Sequence, residues 1–377
     1  MAPLLRAGFC IFIWRISLNY AVIIPVKVRR VKFLSEGLVK QLLCIFFAFL
    51  FIHQFSQASV GQPIQEPEPN RESVALGAST GKTIRDITYC KTGDTDLRMD
   101  AYLPPSRDNA PLPVLIYIHG GAWIAGDKDE KPLRTDLPGL LQRGYAVFSI
   151  NYRLAPLYRF PAQIEDCKCA VRSIRANAKK YNIDPARLGV WGSSAGGHLA
   201  TLLGVTEGVG EFEGDGGYPE QSSAVQAVAT FFGPADLTTS DWSLIDKLGF
   251  LSGFGTSKYW LKASPVNYVT RQAPPFWVVV GDKDKIVSPQ QGQRLFAELK
   301  SHQVQSSLLV VKNCGHEFAF SGNPTPSRPE VSKQLVKFFD QNIRPAKLEQ
   351  SFVHTRPRRV MSEAISATAI KQENSRE

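Results

Sequence analysis

The sequence predicts an α/β fold, a mostly parallel central sheet with helices on both faces. Three observations predict it. Short β-rich runs alternate with helical ones from Ile84 to Ile343. Several of the β-rich runs, such as Pro113 to Ile118 and Phe276 to Val280, are apolar without interruption, as strands buried on both faces are. The helical stretches between them are long enough to serve as crossover connections between parallel strands.

Taken in order, Ile87 to Cys90 and Leu97 to Leu103 read as an opening pair of strands, followed by the buried strands Pro113 to Ile118 and Ala146 to Asn151. Pro161 then starts a helix, with Ile164, Cys167, Val171, Ile174, Ala178 and Tyr181 at spacings of three and four. Leu188 to Trp191 is a strand and Ala195 to Leu203 a helix. Val225 to Phe232 and Phe276 to Val280 are further buried strands. Gln290 to Leu299 is helical, Leu308 to Val311 a strand, and Val331 to Ile343 a closing amphipathic helix. Two segments interrupt the alternation. Glu207 to Gln221 is glycine-rich and acidic, and Asp236 to Thr270 is long and aromatic-rich. Insertions of this kind are expected as short lids over a site.

The ends differ in character. Residues 1–58 form an export leader whose start site is open: Lys27 to Lys40 is basic, Leu42 to Ile52 is an uninterrupted apolar run, and Ser56-Gln57-Ala58 offers small residues for cleavage. Eleven apolar residues fall short of the ~20 a spanning helix needs, so a secreted or periplasmic protein is expected. An uncleaved membrane anchor through 42–52 is the alternative and the only expected membrane contact. Residues 59–83 read as a solvated linker, 84–345 as one α/β domain and 346–377 as a disordered tail. The formal net charge is +10, but six of those charges fall within 1–58, so the basic balance does not indicate a nucleic-acid partner. Cys90, Cys167, Cys169 and Cys314 show no metal spacing and no disulfide framework, and read as buried free thiols, with a pairing to Cys314 as the alternative.

The chemistry is carried by three loops, each placed after a strand. Gly192-Ser193-Ser194-Ala195-Gly196 matches G-x-S-x-G between a strand and a helix. A sharp turn there strains the serine backbone, and the flanking glycines permit close approach, so the Ser194 hydroxyl is presented as a nucleophile. His119-Gly120-Gly121-Ala122-Trp123 follows Pro113 to Ile118. Acyl transfer needs donors for the oxyanion of a tetrahedral intermediate, and backbone N–H groups of such a loop, with that of Ala195, supply them without reorganising. The base should be a histidine late in the chain. His198 lies on the helix after Ser194, His302 closes a surface helix and His354 is in the tail, whereas His316 directly follows the strand Leu308 to Val311. The acid should come between Ser194 and His316. Of two carboxylates after Phe276 to Val280, Asp282 suits a turn role. Asp284, two residues on, can reach His316. Asp236 and Asp241 follow an earlier strand and are the remaining candidates.

Residues from about 84 to 343 resemble the α/β-hydrolase esterases related to hormone-sensitive lipase. The matching pieces are the loop from His119 to Trp123, Asn151-Tyr152-Arg153-Leu154-Ala155-Pro156, Phe160-Pro161-Ala162, Asp166 and the elbow. Ser193 stands where that group usually has aspartate, and the elbow is closer to the bipartite feruloyl esterases and acetyl xylan esterases. Gly281 to Gln291 is similar to their G-x-x-D-x-x-V acid motif. The resemblance implies an α/β-hydrolase fold, a catalytic triad of Ser194, Asp284 and His316, and an oxyanion hole of Gly121, Ala122 and Ala195. Ala122 replaces the third glycine of the loop and keeps its N–H. It also implies a serine carboxylesterase that needs no metal or cofactor. Its substrates would be small-molecule or carbohydrate esters with short acyl groups, acetyl or feruloyl, hydrolysed through an acyl-enzyme. An amide hydrolase of the arylformamidase type, whose related families use a similar loop, is one alternative. A non-catalytic pseudo-hydrolase is the other, and the presence of all three triad members argues against it. Trp123, Phe231, Phe232, Trp242 and Trp260 are candidates for an aromatic acyl pocket, although Phe231 and Phe232 on a strand also suit the core.

Overall fold

Alternating strands and helices produce the architecture their pattern predicts. The computed structural model describes residues 81–105, 110–239, 257–318 and 322–344. The leader, most of the linker, Asp241, Trp242, His354 and the tail lie outside the described residues. The strands are β1 (Lys82–Thr92), β2 (Thr95–Leu103), β3 (Leu112–Ile118), β4 (Ala146–Ile150), β5 (Ile183–Ser193), β6 (Ala227–Phe231), β7 (Phe276–Gly281) and β8 (Ser306–Val311). They form one sheet in the order β1-β2-β4-β3-β5-β6-β7-β8. β1 and β2 pair antiparallel, as do β2 and β4, and every later pair is parallel.

The uninterrupted apolar runs follow from burial on both faces. On β3, Val114, Ile116 and Ile118 enter one core, while Leu115 and Tyr117 enter the other. Helices α2 (Ala162–Ala176), α4 (Ala195–Val205) and α6 (Pro289–Ser301) cover the first face, through residues such as Ile164, Val171, Leu199, Leu203 and Leu295. Helices α1 (Lys131–Arg143) and α7 (Arg328–Ile343) cover the second. Val331, Leu335, Phe339 and Ile343 make the stripe of α7. Among the described residues there are also two short helices, α3 (Ala178–Tyr181) and α5 (Ser257–Lys262).

Helix α1 is absent from the sequence reading because Pro138 lies inside it, and an internal proline normally ends a helix. Here Pro132 sits in the favourable first turn, and Gly144 at φ 91° caps the end. Buried Asp136 fastens the helix to α7, accepting hydrogen bonds from Arg328 at 2.8 Å and Ser332 at 2.8 Å.

Two expectations need correction. Cys90 on β1 and Cys169 on α2 form a disulfide, whereas Cys167 and Cys314 are buried and outside it. At a sequence separation of 79, only the packing of α2 against β1 reveals the pair. In a chain-entropy model such a cross-link stabilises the fold by about 4–5 kcal/mol. The segment Glu207 to Gln221 is not a lid. It begins at the C-terminal end of α4, about 16 Å along the helix axis from Ser194. Its Glu213 is held by Lys168 at 2.6 Å and Arg172 at 2.7 Å, both buried on α2.

Register brings the functional loops together. Ile118 pairs with Gly192, Ser193 with Phe231, and Gly281 with Val311. The chain segments leaving β3, β5, β6, β7 and β8 therefore emerge side by side at the carboxyl ends of the parallel strands, where open α/β sheets bind ligands.

Candidate active site

The elbow is a tight crossing that only glycine permits. A Cβ on Gly196 would lie 2.0 Å from the Ile118 carbonyl oxygen, and one on Gly192 would lie 2.4 Å from that of Gly196. Between them Ser194 adopts φ 55° and ψ −120°, and its N–H donates to the Phe231 carbonyl at 2.8 Å. A side chain held in this sparsely populated region implies that its surroundings over-determine it. Ala122, Trp123, Phe232, Glu317 and Phe318 also have positive φ, so backbone strain gathers on the loops that converge here.

Ser194 Oγ–H donates to Nε2 of His316 at 2.9 Å, and Nδ1–H of His316 donates to Asp284 Oδ2 at 2.7 Å. The other carboxylate oxygen of buried Asp284 accepts the N–H groups of Ile286 and Val287, both at 2.9 Å. Asp282 does not reach His316. It accepts the Cys314 N–H at 3.1 Å and so holds the base-bearing loop against β7. Asp236 is committed to Thr238 and Arg294. His302 donates to the Glu298 carbonyl at 3.1 Å at the end of α6.

The loop after β3 is held from three sides. Gly121 at φ 97° accepts the N–H groups of Ile124 and Ala125, both at 3.0 Å. Buried His119 stacks on Tyr152 with ring centroids 4.3 Å apart and donates from Nδ1 to the Gly120 carbonyl at 2.8 Å. Burial lowers its pKa to about 4, so the imidazole acts as a neutral donor. Tyr152 Oη donates to the His119 and Gly120 carbonyls at 3.1 and 3.2 Å. This leaves Gly121 and Ala122 on the loop and Ala195 at the first position of α4, an end whose N–H groups lack intrahelical acceptors.

Sequence reasoning passed over two groups. His198, one turn beyond the nucleophile, is fully buried rather than idle. The Trp123 indole donates to its Nδ1 at 3.2 Å, and its Nε2–H donates to the Ala263 carbonyl at 2.7 Å, which links the loop after β3, helix α4 and the segment after α5. Burial lowers its pKa to about 4, matching that neutral tautomer. Its elbow position was the available signal. The second group is Glu130, whose Oε1 accepts the Tyr117 hydroxyl and the Gly120 N–H, the latter at 3.2 Å.

Burial pushes the Glu130 carboxyl up to about 7, with nearby Glu317 adding to the rise and the Tyr117 and Gly120 hydrogen bonds opposing it. Because this pKa is raised on folding from an ordinary 4.5, its stabilising contribution is full below 4.5 and lost as pH rises through about 7. Glu130→Gln keeps the acceptor oxygen and cannot ionise. The Tm of Glu130→Gln relative to wild type should therefore increase between about pH 5 and pH 8, by about 3 °C or more. A difference that stays constant over that range would rule out this titration.

Of the aromatic candidates, Phe232 sits edge-on to His316 with centroids 5.8 Å apart, Trp123 is buried against His198, and Trp260 is partly buried. Phe231 packs edge-on to Trp277 in the core.

The BD-FAE family profile matches residues 99–299, which contain β3, the elbow and the acid loop. The chain belongs to the BD-FAE family. It is 30% identical over 268 residues to Esterase LipC of Mycobacterium tuberculosis, covering 68% of this chain and 65% of that protein. Esterase LipQ of the same organism is 33% identical over 246 residues, covering 62% and 56%. The chain thus spans between 56% and 65% of the length of these two esterases. Among solved structures, a truncated carbohydrate esterase from gut microbiota superposes with a TM-score of 0.59 at 30% identity, covering 70% of this chain and 98% of that one. As a BD-FAE family member the chain has the α/β-hydrolase fold, with its mostly parallel sheet and helices on both faces.

Proposed function

We propose that the protein is a serine carboxylesterase. The observation that carries this reading is the continuous relay from Asp284 through His316 to Ser194, with hydrogen bonds of 2.7 and 2.9 Å. Ser194 Oγ attacks the ester carbonyl while His316 Nε2 takes its proton, and Asp284 stabilises the resulting imidazolium. The N–H groups of Gly121, Ala122 and Ala195 receive the oxyanion of the tetrahedral intermediate. His316 then returns the proton to the departing alcohol, leaving an acyl-enzyme. Water, activated by the same histidine, releases the acid. The likeness to esterases over most of the described chain supports the same chemistry.

The acyl group is acetyl or another short chain, and the alcohol is a carbohydrate, with feruloyl esters as the second class. Phe232 beside His316 gives the site an aromatic wall, and the related carbohydrate esterase supports a sugar alcohol. Each methylene that fits an apolar pocket adds about 0.8 kcal/mol of binding, and one that overfills it lowers the rate. The test is kcat/KM for nitrophenyl esters of increasing acyl length, run beside acetylated xylan. A maximum among the shortest esters with release of acetate from xylan is expected. A maximum at about eight carbons or longer would overturn the short-chain reading, and inactivity on every acetylated glycan would remove the carbohydrate.

Export completes the reading. The leader motif and the Cys90–Cys169 disulfide both suit an oxidising compartment. Peptide mapping of native protein under non-reducing conditions should find a mature terminus near Ser59 and a cross-linked peptide containing Cys90 and Cys169. Recovery of peptides containing Arg6 or Lys27 would reject cleavage, and free thiols at both cysteines would reject the compartment.

A further inference from the structure

Besides the relay, one carboxylate touches the segments that carry it. Glu317 follows the base directly, at φ 52° and ψ 32°. Its Oε1 accepts the hydroxyl of Ser193, the residue preceding the nucleophile, at 2.9 Å. The same oxygen lies against the loop after β3: a Cβ built on Gly120 would be 3.0 Å from it and 3.5 Å from the Ser194 Cβ. A side chain at 120 would press on this oxygen, which would have to give by a few tenths of an ångström. The N–H of Gly120 is held by Glu130.

We propose that Glu317 is a positioning residue of the esterase reaction, using one carboxylate to set the base loop, the nucleophile elbow and the oxyanion loop relative to one another. The side chain belongs to the loop of His316, so its hydrogen bond to Ser193 fixes how far Nε2 stands from Ser194 Oγ. Contact with Gly120 fixes where the donors at Gly121 and Ala122 stand relative to the same oxygen. Catalytic groups must hold their places to within about 0.5 Å, and a misplacement of ~1 Å can cost ~10²-fold in rate. A non-glycine residue in the left-handed region, such as Glu317, is strained and persists where its surroundings over-determine it. Here the hydrogen bond to Ser193 supplies one such constraint. The carboxylate bonds Ser193 while Ser194 Oγ bonds His316, so its effect is on geometry and appears in kcat.

The inference rests on Ser194 being the nucleophile, and the experiment separates the two. Steady-state kinetics on a short nitrophenyl ester are measured for the full chain carrying Glu317→Ala, Glu317→Gln, Ser193→Ala, the Ser193→Ala/Glu317→Ala pair and Ser194→Ala. Glu317→Ala and Ser193→Ala are each expected to lower kcat by about 10-fold or more, with KM within about threefold of wild type. Glu317→Gln, which keeps an acceptor oxygen for Ser193, should restore kcat to within about threefold. The double variant should be no slower than the slower single variant, because both remove one shared interaction. Ser193→Ala removes only a hydroxyl, and so reports on the hydrogen bond even where Glu317→Ala folds poorly. Wild-type kcat in Ser193→Ala, equal losses in Glu317→Gln and Glu317→Ala, or additive losses in the pair would each overturn the proposal. An active Ser194→Ala would instead overturn the serine-esterase reading.

Discussion

Ser194→Ala should lower kcat on a short nitrophenyl ester by about 10⁴-fold or more, equivalent to at least about 5 kcal/mol of transition-state stabilisation. The substitution is clean. Alanine keeps the Cβ, so the strain at φ 55° is unchanged, as is the N–H donated to Phe231. What disappears is the oxygen 2.9 Å from His316 Nε2. Without it no acyl-enzyme can form, and the N–H donors act on a bound ester with only water to attack it. Thermal unfolding should remain close to wild type, because the lost hydroxyl is only partly buried. A variant that turns over within about tenfold of wild type would remove Ser194 from the mechanism.

The parts of the site legible in the sequence are those whose chemistry is local. A serine between two glycines at a strand-to-helix junction announces its geometry, since only glycine survives the approaches of 2.0 and 2.4 Å at Gly196 and Gly192. His316 and Asp284 were legible because each follows a strand, and parallel strands deliver their following loops to one end of the sheet. What stayed hidden depends on pairs distant in sequence. The tethering role of His198 is not legible because neither Trp123 nor Ala263 is near it along the chain, although both bond it in the fold. Cys169 gave no sign of its partner across 79 residues. Helix α1 was hidden for a different reason: local propensity at Pro138 is overridden by tertiary fastening through Asp136, Arg328 and Ser332.

The sharpest test of the relay compares two aspartates two residues apart. Asp284→Asn should reduce kcat by about 10³- to 10⁴-fold, whereas Asp282→Asn should stay within about threefold of wild type. At Asp284 one oxygen accepts the Ile286 and Val287 N–H groups, both at 2.9 Å, and the other accepts Nδ1–H of His316 at 2.7 Å. An asparagine there keeps its single carbonyl oxygen on the two backbone donors, so its NH₂ group faces Nδ1. A donor cannot meet a donor, and the imidazole is driven to the tautomer that carries its proton on Nε2. That proton then points at Ser194 Oγ, where a lone pair is required, and the base is lost with little change in shape. Asp282 makes a different contact, the Cys314 N–H at 3.1 Å, which an asparagine carbonyl can accept equally well. Steady-state kcat for the two variants decides between them. The reverse ranking would assign the acid to Asp282 and break the relay on which the esterase reading stands.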